Sequence, residues 1–138
     1  MAYTPNFSKS AHRHFQAAEL LYTNVTVHEN HKPVAGYLYG ITGELAVKKL
    51  MQKSGIKELD EKERQSDPYY KHFPQLKALL KDAPGLRAGE LRRIAENAAL
   101  FQNWDTSMRY APGGAVQNKW VDAWKESAKS LLDRMEAE

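Results

Sequence analysis

The stretch from residue 34 to residue 50, VAGYLYGITGELAVKKL, constrains the fold more than any other part of the chain. Its apolar residues recur at Val34, Leu38, Ile41 and Leu45, which is the spacing of one helical face. A second apolar row lies beside the first, so the predicted helix is apolar round most of its circumference. Such a helix is typical of the interior of a helical bundle.

One carboxylate, Glu44, lies in the middle of this predicted helix. A buried charge without a partner is strongly destabilising, so the carboxylate needs one. Lys48 follows one turn later in the favourable order, and Arg109, in a later loop, has a guanidinium fork that matches a carboxylate. We therefore expect Glu44 to pair with Lys48, with Arg109, or with both.

Length and composition indicate one globular domain over residues 1–138. The chain has 20 basic and 17 acidic residues, and this net charge of +3 permits an anionic ligand without arguing for one. No apolar run reaches the roughly 18 residues of a membrane-spanning helix, and the first residues lack the apolar core of a secretory signal. The sequence contains no cysteine, which excludes disulfides and thiolate zinc sites. We expect a cytoplasmic protein with no membrane partner.

Apolar periodicity predicts helices along most of the chain, and no stretch alternates as a strand does. The predicted helices cover residues 8–22, 33 to about 53, a short segment within 69–81, 88–101, and 115 to about 136. The charged segment 56–67 is expected to form either a short helix or a loop. The predicted fold is all-α: an up-and-down four-helix bundle with an additional short helix packed across one end.

Three glycines lie inside the second predicted helix, at Gly36, Gly40 and Gly43. Each weakens a helix by about 1 kcal/mol relative to alanine. We interpret them as places where a neighbouring helix approaches closely.

The five histidines do not indicate a metal site. His28 and His31 are three residues apart, but they lie in a polar connector, and a metal would need further ligands such as Glu29. Surface histidines are the simpler interpretation, and we expect neither a metal nor a cofactor. The chain also lacks a P-loop, a GxSxG elbow, an HExxH helix and an EF-hand loop.

His72 begins the stretch HFPQLKALL. Its position suits a polar contact or cap at the start of the short helix. Its near-neutral titration equally suits an acid–base or ligand-binding role.

The loop that contains Trp104, Arg109 and Tyr110 combines an indole, a guanidinium and a phenol within seven residues. Arginine and aromatic side chains together can hold an anionic or planar ligand. They can equally close one end of the bundle by packing and by a buried ion pair.

Three parts of the sequence together resemble the HEPN superfamily (higher eukaryotes and prokaryotes nucleotide-binding). The first is AAELLYTN followed by AGYLYGITGELAVKKLM, in which Tyr37, Gly40, Glu44 and Lys48 match the family's second helix. The match continues in the rest of the chain and covers roughly residues 11–132.

The second and third parts of the resemblance lie further along the chain. His72 with Leu76 is similar to the histidine-led short helix of the family, and Trp104 with Arg109 and Tyr110 is similar to a tryptophan-then-arginine-tyrosine element of some branches. A last helix rich in alanine and leucine follows.

The resemblance implies an all-α bundle that is often a homodimer. Many members are metal-independent ribonucleases of toxin–antitoxin, phage-defence or CRISPR-linked systems, and others are non-catalytic partners of small nucleotidyltransferases. The ribonuclease branch carries an arginine followed four to six residues later by a histidine. Here Arg13 directly precedes His14, and seven residues separate Arg64 from His72, so no catalytic residue can be carried over.

These observations favour a non-catalytic HEPN-like domain that binds a nucleotide, RNA or a protein partner, such as a nucleotidyltransferase or an antitoxin. Its polar centre would consist of Glu44, Lys48, His72, Trp104, Arg109 and Tyr110. In this interpretation Lys48 and Arg109 hold a phosphate, and Trp104 or Tyr110 stacks on a base.

Two alternatives stay open. One is a divergent metal-independent ribonuclease that uses His72 as its acid–base group, with Arg64 or Arg109 stabilising the phosphate. The other is a purely structural bundle in which the polar centre is an ion-pair network.

Overall fold

The computed structural model describes residues 2–24, 31–85 and 87–137. In these ranges the chain is helical and contains no strand, which confirms the predicted all-α fold class. The α-helices are α1 (Phe7–Thr23), α2 (Lys32–Lys53), α3 (Gln75–Leu80), α4 (Ala88–Glu96) and α5 (Asn118–Glu136). Short 3-10 helices lie at Glu61–Ser66, Pro68–Tyr70, Thr106–Tyr110 and Gly113–Ala115.

Helix α2 is the central element, as its apolar circumference predicts. The buried apolar side chains of α2 pack against α1 on one side and α5 on the other. The Tyr39 hydroxyl, fully buried, donates to the carboxylate of Glu19 in α1 at 2.6 Å. Because the end of α1 lies beside the start of α2, these two helices are antiparallel.

Helix α5 runs parallel to α2. At one end, the ring of Trp124 lies against Gly36, where an added Cβ would be 2.9 Å from the indole. At the other end, the ammonium of Lys53 donates to the carbonyl of Met135. Helix α4 begins beside the end of α2, where the N–H of Arg87 donates to the hydroxyl of Ser54 at 3.0 Å. Helix α1 therefore runs opposite to α2 and α5, and α3 is the additional short helix.

Local signals in the sequence set several helix ends. The side chain of Asn6 accepts the N–H of Lys9 at 3.0 Å and caps α1. Pro33 lies in the first turn of α2, where a missing N–H leaves no gap in the hydrogen bonding. Gly55, just after α2, has φ of 86°, a conformation that glycine adopts without steric penalty.

Two predicted helices are shorter than their apolar patterns suggest. Helix α4 ends at Glu96, not at residue 101, and Ala98, within the predicted range, is exposed. The chain then turns so that Phe101 packs into the core with φ of 54°. The third predicted helix divides into the 3-10 turn Pro68–Tyr70 and α3, with a cis Phe73–Pro74 peptide bond between them.

The three glycines of α2 are sites of close approach, as expected, but only Gly36 faces a helix. Gly40 lies under the indole of Trp104, and Gly43 lies under the ring of Phe101. Both rings belong to the segment between α4 and α5. A search of the described helices finds none that is long and apolar enough to cross a membrane.

Candidate functional site

Glu44 forms the centre of a buried polar cluster on α2. Its carboxylate is 2% exposed. One oxygen accepts the backbone N–H of Phe73 at 2.8 Å, and the other lies 2.8 Å from Nδ1 of His72. Because an ionised carboxylate only accepts, Nδ1 carries the proton and donates. The loop that precedes α3 therefore supplies both partners of Glu44.

His72 links this buried carboxylate to the surface. Its side chain is 52% exposed, whereas that of Glu44 is inaccessible. With Nδ1 committed to Glu44, Nε2 is the ring nitrogen left to exchange protons or accept a hydrogen bond. The cluster thus presents one oriented imidazole to solvent.

Lys48 lies one turn after Glu44 but forms no ion pair with it. The side chain is only 7% exposed, and no hydrogen bond or ion pair to it occurs among residues 2–24, 31–85 and 87–137. Burial lowers the pKa of Lys48, while the charges of Glu44 and Asp67 oppose that shift. Asp67 is itself buried and accepts the N–H groups of Leu59 and Tyr69 at 2.9 and 3.0 Å. The Lys48 side chain is therefore mostly buried, and the two carboxylates that act on its charge already have other partners.

Trp104 is a core residue. Its indole N–H donates to the carbonyl of Gly36 at 3.1 Å, and its ring stacks on Tyr37 with 5.7 Å between centroids. An alanine Cβ at Gly40 would lie 1.9 Å from the indole. The indole is 2% exposed, so the expectation that Trp104 stacks on a ligand base is wrong for this conformation.

Arg109 does not pair with Glu44, contrary to the expectation from the sequence. Its guanidinium bonds to the hydroxyls of Tyr37 and Tyr110 at 3.4 and 3.3 Å. It also lies 5.8 Å and 5.2 Å from the centroids of those two rings. The hydrogen bond to Tyr37 is the main cause that raises the pKa of Arg109 above its ordinary value. No carboxylate in the described part of the chain neutralises this cation.

An open groove of about 340 Å³ adjoins Arg109. The groove is lined by Pro33, Val34, Tyr37, Met108, Arg109, Ala111 and Gly113. Val34 and Tyr110 are large apolar side chains that are 52% and 81% exposed beside it. We call this feature the Arg109 groove: an apolar surface with one unneutralised cation held between two phenol rings.

The six residues expected to form one polar centre therefore form two. Glu44, His72 and Lys48 lie together, and Arg109 and Tyr110 lie together, with Trp104 buried between the two groups. Glu44 lies seven positions after Tyr37, which contacts Arg109, and this is about 10 Å along a helix.

Sequence reasoning missed three contributors to these sites. Tyr37 was visible as an aromatic residue on the same face as Glu44, two turns earlier. Asp67 and the N–H of Phe73 had no sequence signal, because a loop conformation places them.

The ranges that the structure describes contain no group of three or more His, Asp or Glu side chains suited to hold a metal ion. His28 and Glu29, which entered the metal hypothesis, lie outside those ranges.

Comparisons with protein-family models, with curated proteins and with solved structures found no match to this chain. The HEPN resemblance therefore rests on the sequence motifs alone.

Proposed function

We propose that this domain binds a nucleotide or single-stranded RNA in the Arg109 groove, without catalysing a reaction there. The observation that carries the proposal is the guanidinium of Arg109, which lies between the rings of Tyr37 and Tyr110 and has only hydroxyl partners. A guanidinium without a carboxylate partner keeps its charge and its fork of donors for an incoming phosphate.

The surroundings of Arg109 suit the rest of a nucleotide. Tyr110 projects into solvent and offers a ring face on which a base can stack. Val34 and Met108 add apolar surface beside it. Stacking on an aromatic ring tolerates any base, so we expect little sequence preference.

The proposal assigns Lys48 no role in this groove. The sequence suggested that Lys48 and Arg109 share one phosphate. Lys48 lies eleven positions after Tyr37, which is about 16 Å along a helix and too far for a single phosphate to bridge.

Fluorescence anisotropy with a labelled single-stranded hexauridylate tests the proposal, with unlabelled AMP as competitor. We expect Arg109→Gln to weaken binding roughly tenfold or more, since a hydrogen bond to a charged group is worth about 1.5–3 kcal/mol. Arg92→Gln is the matched control, because Arg92 is exposed on α4 and distant in sequence from the groove. Equal affinity of wild type and Arg109→Gln, or no saturable binding by wild type, would contradict the proposal.

A homodimer is the partner that the HEPN resemblance implies, and we include it in the proposal. The outer row of α2 supports it: Leu38, Ile41 and Leu45 are only partly buried, and Val34 at its end is exposed. Sedimentation equilibrium should give a dimer for wild type and a monomer for Ile41→Lys, with Leu79→Lys on α3 unaffected. A monomeric wild type would refute the dimer.

The same resemblance implies association with a nucleotidyltransferase or an antitoxin protein. A neighbouring gene for either protein would support that association, and co-expression of the two chains would test it. Failure of the chains to co-purify would argue against it.

A second candidate function rests on the pair formed by Glu44 and His72. The buried carboxylate fixes the imidazole tautomer and leaves Nε2 at the surface. In a metal-independent ribonuclease, Nε2 would accept the proton of a ribose 2′-hydroxyl as its oxygen attacks phosphorus. The P–O bond to the next nucleotide would break, and water would protonate the leaving oxygen. Lys48, one turn after Glu44 on α2, is a charged candidate to stabilise the phosphate, beside Arg64 or Arg109.

Labelled RNA separates the two candidates. Cleavage that disappears in His72→Gln, and with a substrate whose 2′-hydroxyls are replaced by hydrogen, would support the ribonuclease. Undiminished cleavage in His72→Gln, or no cleavage by wild type, would eliminate it.

A further inference from the structure

A small polar pocket lies between the end of α4 and the last turns of α5, away from both groups of residues described above. Its volume is about 50 Å³. The residues that line it are Arg93, Ile94, Asn97, Leu100, Ser130, Leu131 and Arg134. We propose that this pocket, the α4–α5 pocket, binds a phosphate-sized anion: inorganic phosphate or the terminal phosphoryl group of a small molecule.

Two arginines give the pocket its charge. Neither the guanidinium of Arg93 nor that of Arg134 forms a hydrogen bond or an ion pair with any residue that the structure describes. Both residues line the same cavity, so an anion bound there is attracted by two positive charges. Glu96 and Asp133, the nearest carboxylates in sequence, are not among the described lining residues.

The remaining lining groups complement an anion. The Asn97 side-chain oxygen accepts the N–H of Ala99 at 3.1 Å, so its amide N–H₂ is the end left to donate. Ser130 adds a hydroxyl. Buried Ile94 and Leu131 supply an apolar floor, which lowers the local dielectric and strengthens the attraction.

Exposed carbonyl oxygens would repel an anion, and here a lysine covers two of them, one at the C-cap of α4 and one in the segment that follows. Lys77 reaches from α3 and donates to the carbonyls of Asn97 and Leu100 at 2.5 and 2.9 Å. Lys77 already compensates the negative end of α4. The charges of Arg93 and Arg134 are therefore not needed for that purpose.

The size of the pocket selects the ligand class. One ordered water needs about 10–15 Å³, so the pocket has room for roughly three or four water-sized atoms. That matches the oxygens of a tetrahedral phosphate, and the rest of a larger phosphorylated molecule would extend into solvent.

The pocket is independent of the Arg109 groove. Trp124 of α5 lies at the groove end of α2, against Gly36, and Arg134 follows ten residues later, about 15 Å along a helix. Anion binding in the α4–α5 pocket therefore does not depend on ligand binding in the Arg109 groove.

Heteronuclear NMR titration of the full chain with inorganic phosphate tests the inference, with sodium chloride at equal ionic strength as reference. We expect saturable amide shifts confined to residues 93–100 and 130–134. Arg93→Gln and Arg134→Gln should each weaken binding roughly tenfold or more. Arg92→Gln, which changes the neighbouring charge outside the pocket, should bind phosphate as wild type does.

Chloride that reproduces the same shifts, or Arg92→Gln that weakens binding as much as Arg93→Gln, would overturn the inference. Arg134→Lys guards against a folding artefact, because it keeps the charge and the aliphatic stem but loses the guanidinium fork. Its affinity should lie between those of wild type and Arg134→Gln, with an unchanged unfolding midpoint. Phosphate shifts centred on residues 33–37 and 106–113 would assign the anion to the Arg109 groove and also overturn the inference.

Discussion

The hydrogen-bond partners of Glu44 lie in the loop before α3. They satisfy the carboxylate at a lower dehydration cost than an arginine would. A buried ion pair must repay the dehydration of both charges. The N–H of Phe73 carries no charge to dehydrate, and the ring of His72 keeps half of its surface in water. The carboxylate is thereby satisfied without bringing a guanidinium into the core.

Replacing Glu44 should test how much this cluster stabilises the fold. We expect Glu44→Gln to lower the free energy of unfolding by about 1–3 kcal/mol, because it weakens two hydrogen bonds to a charged acceptor at a buried position. Urea unfolding at neutral pH, followed by circular dichroism, measures the change. Glu96→Gln, at the exposed end of α4, is the control and should stay within about 0.5 kcal/mol of wild type.

Removing the charge of Lys48 should not destabilise the protein, in contrast to removing that of Glu44. Burial lowers the pKa of Lys48, so its ammonium opposes folding at neutral pH. We expect Lys48→Met to leave the free energy of unfolding unchanged or to raise it by up to about 2 kcal/mol. A loss of stability of that size would show that Glu44 and Asp67 outweigh the burial of the charge.

The pH dependence gives Lys48 a second readout. Between its lowered folded-state pKa and the ordinary value of 10.5, the unfolded chain holds a proton that the folded chain lacks. Stability of wild type therefore rises with pH in this window, relative to Lys48→Met. The difference in free energy of unfolding between wild type and Lys48→Met should shrink near pH 10, about half a unit below the ordinary pKa of lysine.

At the scale of elements, the segment between α4 and α5 packs on α2 by placing aromatic rings against glycines of that helix. The rings of Phe101 and Trp104 occupy the space that side chains at Gly43 and Gly40 would fill. Helix α4 ends at Glu96, where the backbone of Asn97 is extended with ψ of 95°, even though the apolar pattern continues to Phe101. Phe101 then packs on Gly43 from a left-handed backbone, so periodicity alone predicts the end of this helix wrongly.

The glycine packing leads to a prediction about the Arg109 segment. Gly40→Ala should destabilise the protein by about 1–3 kcal/mol or more, because the added methyl group overlaps the indole of Trp104. Near-ultraviolet circular dichroism should change as the indole moves. Gly89→Ala in α4 meets only the far end of Arg93, at 3.7 Å, and should instead stabilise by about 0.5–1 kcal/mol.

A wild-type-like Gly40→Ala protein would mean that Trp104 is not seated on α2 as described. The near-ultraviolet signal should fall together with ligand affinity, since the segment that carries Trp104 also positions Arg109. A displaced indole with unchanged ligand affinity would show that the position of Trp104 does not determine that of Arg109.

At the scale of the whole molecule, the sequence predicts the features that local interactions determine and not those that depend on tertiary packing. The ends of α1 and α2 follow from Asn6, Pro33 and Gly55, because caps and turns act within a few residues. The odd carboxylate at position 44 was equally visible. The resemblance groups His72 with it, but the N–H of Phe73 has no signal, because that bond depends on how the segment after α2 returns to the helix.

The same limit explains the candidate site. The sequence marks an unusual cluster of Trp104, Arg109 and Tyr110, but it does not say which rings face the core. Trp104 is held by the carbonyl of Gly36, and Arg109 by Tyr37, one residue later on the helix. That single-residue difference puts one side chain in the core and the other at the surface.

The central claim is that the Arg109 groove is the ligand site, and NMR mapping with single-stranded hexauridylate tests it most directly. The account predicts saturable shifts of the Arg109 side-chain N–H and of backbone amides in 33–37 and 106–113, all lost in Arg109→Gln. Shifts centred instead on Glu44 and His72, or no saturable shifts at all, would contradict it.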